Sequence, residues 1–168
     1  MIKFLIASII FISLNGGDVV SYNSVLGIEL RETTLKDVRA MYPQAEYSKY
    51  WEKGEWIMIG NYVKKIIIEE KGITLFLRKK RRFGKYKVCT IILDSNFEGT
   101  LDCGIGINSN YAEIDAIFGE NRIMSVNSKT AELFYSSGNE SITFICSNKF
   151  ANTSTFKVES IILNASSF

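Results

Sequence analysis

Two nine-residue stretches of the chain share one pattern of apolar and polar positions. Tyr86-Lys87-Val88-Cys89-Thr90-Ile91-Ile92-Leu93-Asp94 and Phe156-Lys157-Val158-Glu159-Ser160-Ile161-Ile162-Leu163-Asn164 both begin Lys-Val at the second position. Both continue to Ile-Ile-Leu and close on an acidic or amide residue. The recurrence predicts an internal duplication, and the elements ahead of each copy match as well. Val25-Leu26-Gly27-Ile28-Glu29-Leu30 answers to Cys103-Gly104-Ile105-Gly106-Ile107, each with the rhythm of a short strand. Thr34-Leu35-Lys36-Asp37 answers to Asn110-Tyr111-Ala112-Glu113, each a helix cap followed three residues later by a carboxylate. Apolar residues then recur at helical spacing: Leu35, Val38, Met41 and Tyr42 in one copy, Tyr111, Ile114, Ile117 and Phe118 in the other. Pro43 and Gly119 end the two helices.

Strands follow each helix. In the first copy, 46–51 and 56–59 flank the turn Glu52-Lys53-Gly54-Glu55 and read as a hairpin. The stretch 63–69 answers to 130–135, and Ile73-Thr74-Leu75-Phe76-Leu77 to Ile142-Thr143-Phe144-Ile145-Cys146. The short connections require antiparallel pairing. The expected fold class is α+β: two tandem repeats, each a helix packed on an antiparallel sheet of about four strands. Repeat one spans 24–95 and repeat two 100–168, together one compact domain. The two sheets can join edge to edge, or the helices can pack together.

Ahead of the repeats, Met1-Ile2-Lys3 gives a positive start. A short apolar run from Phe4 to Leu14 follows, then Asn15-Gly16-Gly17-Asp18. This is the pattern of a signal peptide over residues 1–21, and the run is shorter than the roughly 20 residues that span a bilayer. The expectation is an exported protein, periplasmic or secreted.

Composition narrows the chemistry. The chain has no histidine, which removes the commonest general base and zinc ligand. Its net charge of +2 selects no partner by bulk electrostatics. Cys89, Cys103 and Cys146 show no metal or redox spacing. A Cys89–Cys103 bridge is one reading of them; three small buried apolar side chains is the favoured one. Glu52, Glu55, Glu69 and Glu70 are the only carboxylates near one another, with no spacing that fixes an acid–base pair. Gly104-Ile105-Gly106 lacks the third glycine of a dinucleotide loop. The expectation is a protein that is not an enzyme and takes no cofactor and no metal.

The order Gly-Ile-x-Leu, a helix cap with Asp or Glu three residues on, Tyr or Phe before Pro or Gly, then Ile-Thr-Phe, then Lys-Val-x-Ser-Ile resembles the tandem repeats of the β-lactamase inhibitory proteins. It is similar too to the single repeat of the small lipoprotein of the outer-membrane barrel assembly machinery. The resemblance covers most of residues 24–164. It implies a non-enzymatic α+β protein that binds other proteins; in the inhibitors the sheet is a concave surface and loops enter the target. The chain departs from both: it lacks the cysteine pairs of the inhibitors and a lipid-bearing cysteine after the apolar run. No functional residue is carried over.

Two stretches stand out as candidate contacts. Tyr47, Tyr50, Trp51, Trp56 and Tyr62 crowd one predicted hairpin, with no aromatic counterpart at 121–129 in the second copy. Tryptophan and tyrosine bring large contact area at low entropic cost. These rings are either a partner-binding surface or structural, covering the sheet or filling the seam between the repeats. Arg78, Lys79, Lys80, Arg81, Arg82 and Lys85 form a basic hairpin. It is either an anionic-surface contact, with each cation near an acidic membrane adding about 1 kcal/mol, or a solvated tip that blocks edge aggregation. The expected function is an exported protein-binding module: an inhibitor, immunity factor or envelope assembly partner of another extracytoplasmic protein. It would use the sheet face and the aromatic hairpin. Docking on an anionic membrane through 78–87 is the alternative, and export argues against nucleic acid.

Overall fold

The computed structural model describes residues 23–47, 62–79, 83–119, 123–126, 130–147 and 156–165. Strands β1 (Ser24–Val25) and β2 (Ile28–Glu29) form a tight hairpin. Helix α1 (Leu35–Met41) precedes β3 (Glu46–Tyr47), β4 (Tyr62–Ile68), β5 (Ile73–Lys79) and β6 (Lys87–Leu93). Helix α2 (Tyr111–Phe118) precedes β7 (Ile123–Val126), β8 (Thr130–Ser137), β9 (Glu140–Ser147) and β10 (Lys157–Ala165). Eight of the strands make one sheet in the order β3-β4-β5-β6-β10-β9-β8-β7, antiparallel throughout.

This corrects the expected fold class. The chain is mostly β, with a two-stranded hairpin and one continuous eight-stranded sheet. It is not a pair of α+β units, each with its own helix on its own four strands. The physical reason lies in the two repeated stretches, which pair with each other. Ile161 faces Leu93, Ile162 faces Ile92, Leu163 faces Ile91 and Asn164 faces Thr90. Left apart, β6 and β10 would each expose an apolar edge with a row of unpaired N–H and C=O groups. Joining them satisfies both edges. Side chains lock the register: Thr90 Oγ1 donates to Asn164 Oδ1 at 2.6 Å, and Ser160 Oγ donates to the Leu93 carbonyl at 2.8 Å.

The helices are too short to form a layer. They have seven and eight residues, and each has one fully buried side chain, Val38 in α1 and Ile114 in α2. Both begin with a capping box. Thr34 accepts from the Asp37 amide while the Asp37 carboxylate accepts from Thr34, and Asn110 and Glu113 do the same. The entry to each helix is pinned to the sheet in the same way. The Arg31 amide donates to the Val88 carbonyl and the Val88 amide to Thr33; the Asn108 amide donates to Val158 and the Val158 amide to Ser109. Arg31 (φ 67°) and Asn108 (φ 70°) both take the left-handed conformation at this point.

Alternation places one face of the sheet inward. Ile66 and Ile68, Leu75 and Leu77, Val88, Ile91 and Leu93, Leu133 and Tyr135, Phe144 and Cys146, and Ile161 and Leu163 are all buried there. The helices and the described loops close over this face, and Leu30, Phe97, Leu101 and Ile105 complete a single core. Several expected boundaries move. The strand expected over 63–69 runs from Tyr62 to Ile68, because Glu69–Lys71 forms a 3-10 turn closed by left-handed Gly72. The connection expected over 121–129 contains strand β7. Of the hairpin expected over 46–59, β3 covers Glu46–Tyr47, and the remainder lies outside the described residues.

Cys89, Cys103 and Cys146 are free thiols, so the Cys89–Cys103 bridge does not form. Cys146 lies fully buried on β9, and burial pushes its thiol up from 9.0 to about 12. This sets one pH response. The native thiol stays protonated where the unfolded one ionises, so its contribution to stability is intact below about pH 9 and is lost as pH rises toward 12. Urea unfolding of the wild type should lose stability between pH 9 and 11 more steeply than that of Cys146→Ala; parallel curves would contradict the assignment.

Candidate binding surfaces

The outer face of the sheet differs from the solvated face expected of an antiparallel sheet. Each of the six long strands carries an apolar triplet whose outer two members are buried and whose middle member points the other way. The triplets are Ile66-Ile67-Ile68, Leu75-Phe76-Leu77, Ile91-Ile92-Leu93, Ile161-Ile162-Leu163, Phe144-Ile145-Cys146 and Leu133-Phe134-Tyr135. The six middle residues are partly exposed, and none belongs to the core.

Register puts four of them in line. Ile67, Thr74, Ile92, Ile162, Thr143 and Phe134 stand side by side across β4, β5, β6, β10, β9 and β8. The row reads the same from either end: apolar, Thr, Ile, then Ile, Thr, apolar. Five strand spacings of about 4.8 Å make it about 24 Å long. Phe76 and Ile145 lie off the row on opposite sides. Phe76 is flanked by Lys65 and Thr90, and Ile145 by Glu132 and Ser160. The face therefore has an apolar centre with a cation on one side and a carboxylate on the other.

A second feature lies on the helix side. Tyr86, just ahead of β6, is flanked by two ammonium groups from neighbouring strands. Lys64 Nζ is 5.2 Å and Lys79 Nζ 4.8 Å from its ring centroid. Both distances suit cation–π contact, which offsets some of the repulsion between the two cations. Beside Tyr86 a cleft of about 540 Å³ runs between the start of α1 and residues 84–86. Lys36, Arg39 and Lys85 line it, with Asp37 as its one acidic side chain. Hydrogen bonds from Thr34 hold the Asp37 carboxyl below its usual range, and Lys36 and Lys85 add to the effect.

The expected contact residues fall in different places. Tyr47 packs against the core edge; its hydroxyl donates to the Tyr42 carbonyl at 3.0 Å, and the Arg39 guanidinium sits 5.2 Å over its ring. Tyr62 contributes its backbone to β4 opposite Lys79. Tyr50, Trp51 and Trp56 lie outside the described residues, as do Lys80, Arg81 and Arg82. Arg78 is on the outer face at the end of β5, Lys79 on the Tyr86 side, and Lys85 in the cleft. Glu69 and Glu70 are exposed in the 3-10 turn, and Glu52 and Glu55 lie outside the described residues.

Residue-by-residue reading of the sequence did not single out the outer-face row or the cleft. The row does leave a signal. A half-buried strand needs apolar residues at alternate positions only, so an apolar residue between two others marks an outward one. The cleft leaves part of one: Lys85 belongs to the basic hairpin read from the sequence, while Lys36 and Arg39 come from a separate segment.

Among the described residues, no group of His, Cys, Asp or Glu comes together that could hold a metal. None of their helices is long and apolar enough to cross a membrane. No family model and no curated protein matches the chain. A solved structure with similarity to it is a DUF4309 family protein (YjgB) from Bacillus subtilis subsp. subtilis str. 168. It is 13% identical over 83% of each chain, with a TM-score of 0.46, a likeness that carries no argument about fold or function.

Proposed function

We propose that this is an exported protein-binding module that grips a folded extracytoplasmic partner with the outer face of its sheet. The observation that carries the reading is the set of six outward apolar residues between buried neighbours, one on each long strand. A solvated face needs none of them, and apolar residues set among polar ones on a partly exposed face are what a protein interface presents. Its length suits a standard interface of about 800 Å² per partner. The rim pair Lys65 and Glu132 would orient a partner carrying an acid and a base around an apolar centre. Export draws on the pattern of residues 1–21, and the partner class is an enzyme to be inhibited or an assembly component to be held. A second reading, docking on an anionic membrane through 78–87, draws on the Lys64 and Lys79 ammonium groups gathered at Tyr86 beside Lys85.

The test is capture of partners from the extracytoplasmic fraction of the native host by wild type and by the double variant Ile92→Lys/Ile162→Glu. The two residues face each other at the centre of the row, so opposite charges there leave the ladder intact. One stoichiometric protein should bind wild type and bind the variant at least about 100-fold more weakly, the scale of losing a central hot spot. Equal capture by both would overturn the sheet-face assignment. Loss with Trp51→Ala/Trp56→Ala instead would move the contact to the aromatic segment.

A further inference from the structure

We infer that the cleft between α1 and residues 84–86 is a binding site for a phosphate group carried on a larger molecule. Three side chains with fixed positive charge line it, Lys36, Arg39 and Lys85, against the single carboxylate of Asp37. That carboxylate is committed: it accepts from the Thr34 amide at 2.9 Å and the Thr34 hydroxyl at 2.6 Å. The excess of two positive charges in the lining matches a phosphomonoester dianion better than a single carboxylate.

Two further cations, outside the lining, lie against one of the lining residues. Tyr86 lines the cleft, and the Lys64 and Lys79 ammonium groups lie against that ring at 5.2 and 4.8 Å. Strands β4 and β5 hold both lysines on the helix side of the sheet, where their charge adds to the positive field around Tyr86. At the helix start the Thr34, Leu35 and Asp37 amides donate to the Asp37 carboxylate, the Tyr86 carbonyl and the Thr34 hydroxyl. The site does not rest on the outer face of the sheet: α1 packs on the core side through Val38, so the sheet-face partner and the phosphate occupy opposite sides of the protein.

The mouth is open, so the phosphate belongs to a ligand that extends into solvent. Two sources carry such a group, a membrane lipid and a soluble phosphorylated sugar or polyol. One experiment addresses both. The ¹H–¹⁵N spectrum of the labelled protein is titrated with glycerol 3-phosphate at constant ionic strength, with sodium sulfate as the control anion. Shifts at residues 34–39 and 84–86 should saturate in the millimolar range. The apparent Kd should rise at least tenfold in Lys85→Glu and in Lys36→Glu, both exposed positions outside the core. Binding to phosphatidic acid vesicles that glycerol 3-phosphate displaces would assign the lipid source. Saturable binding of the soluble probe without vesicle recruitment would assign the soluble one. Shifts that sulfate reproduces equally, that never saturate, or that survive both substitutions would overturn the site. So would vesicle binding that responds to salt but not to glycerol 3-phosphate.

Discussion

Replacing Phe144 by alanine should lower the free energy of unfolding by about 3–5 kcal/mol, the range for a fully buried phenylalanine that leaves a cavity. Phe144 is 0 % exposed on β9. Its ring stands edge-on to Phe118 of α2 at 5.3 Å and to Tyr135 of β8 at 6.0 Å. Phe118 and Tyr135 also meet each other, at 4.8 Å. The three rings form the contact that seats α2 on the sheet. Deleting the middle one leaves two rigid rings that cannot close the space without moving a strand. A chain of this size should lose about 10 °C or more in Tm. Urea unfolding followed by tryptophan-independent circular dichroism would measure the loss. Phe134→Ala, one residue from Tyr135 and on the outer face, is the internal control and should cost less than about 2 kcal/mol. Equal losses at the two sites would mean that the outer face is packed as tightly as the core, against the binding-surface reading.

Gly72→Ala should be the most damaging substitution at a turn. Gly72 closes the 3-10 turn between β4 and β5 with φ at 61°, a conformation that strains any side chain. A Cβ there would also lie 2.4 Å from the Phe97 nitrogen and 2.6 Å from the Asn96 carbonyl carbon. Both contacts are with backbone, so no rotamer relieves them. The Gly72 carbonyl meanwhile accepts from the Asp94 amide at 3.0 Å, tying the turn to the end of β6. Strain and clash together should cost about 2–4 kcal/mol. Gly138 provides the contrast. It too has positive φ, 58°, yet nothing lies within 4 Å of its would-be Cβ, so Gly138→Ala should show the conformational cost alone, about 1 kcal/mol. A Gly72→Ala loss no larger than that would show that the 94–97 loop gives way freely.

Local chemistry was legible because it needs only neighbours in the chain. Both capping boxes follow from Thr34/Asp37 and Asn110/Glu113, three residues apart. The long strands β5, β6, β9 and β10 follow from period-two patterns. The fold class was not legible. Sequence periodicity states which face a strand buries but not which strand lies beside it. The choice between two small sheets and one large one turned on whether β6 and β10 would leave their edges bare. Strand β7 escaped notice because four residues carry too little pattern.

By itself, then, the sequence determined the two capped helices, the alternation along the long strands and the duplicated stretch that forms the centre of the sheet. It also marked the outward apolar residues, in the middle of each triplet, without saying that they align. Tertiary structure alone decided that alignment, because cross-strand rows exist only once register is set. It alone decided the cleft as well, where charges separated by up to 49 positions, from Lys36 to Lys85, converge on one tyrosine ring and one helix start. Pairing and charge convergence are long-range facts, and a local pattern records only what its own few residues require.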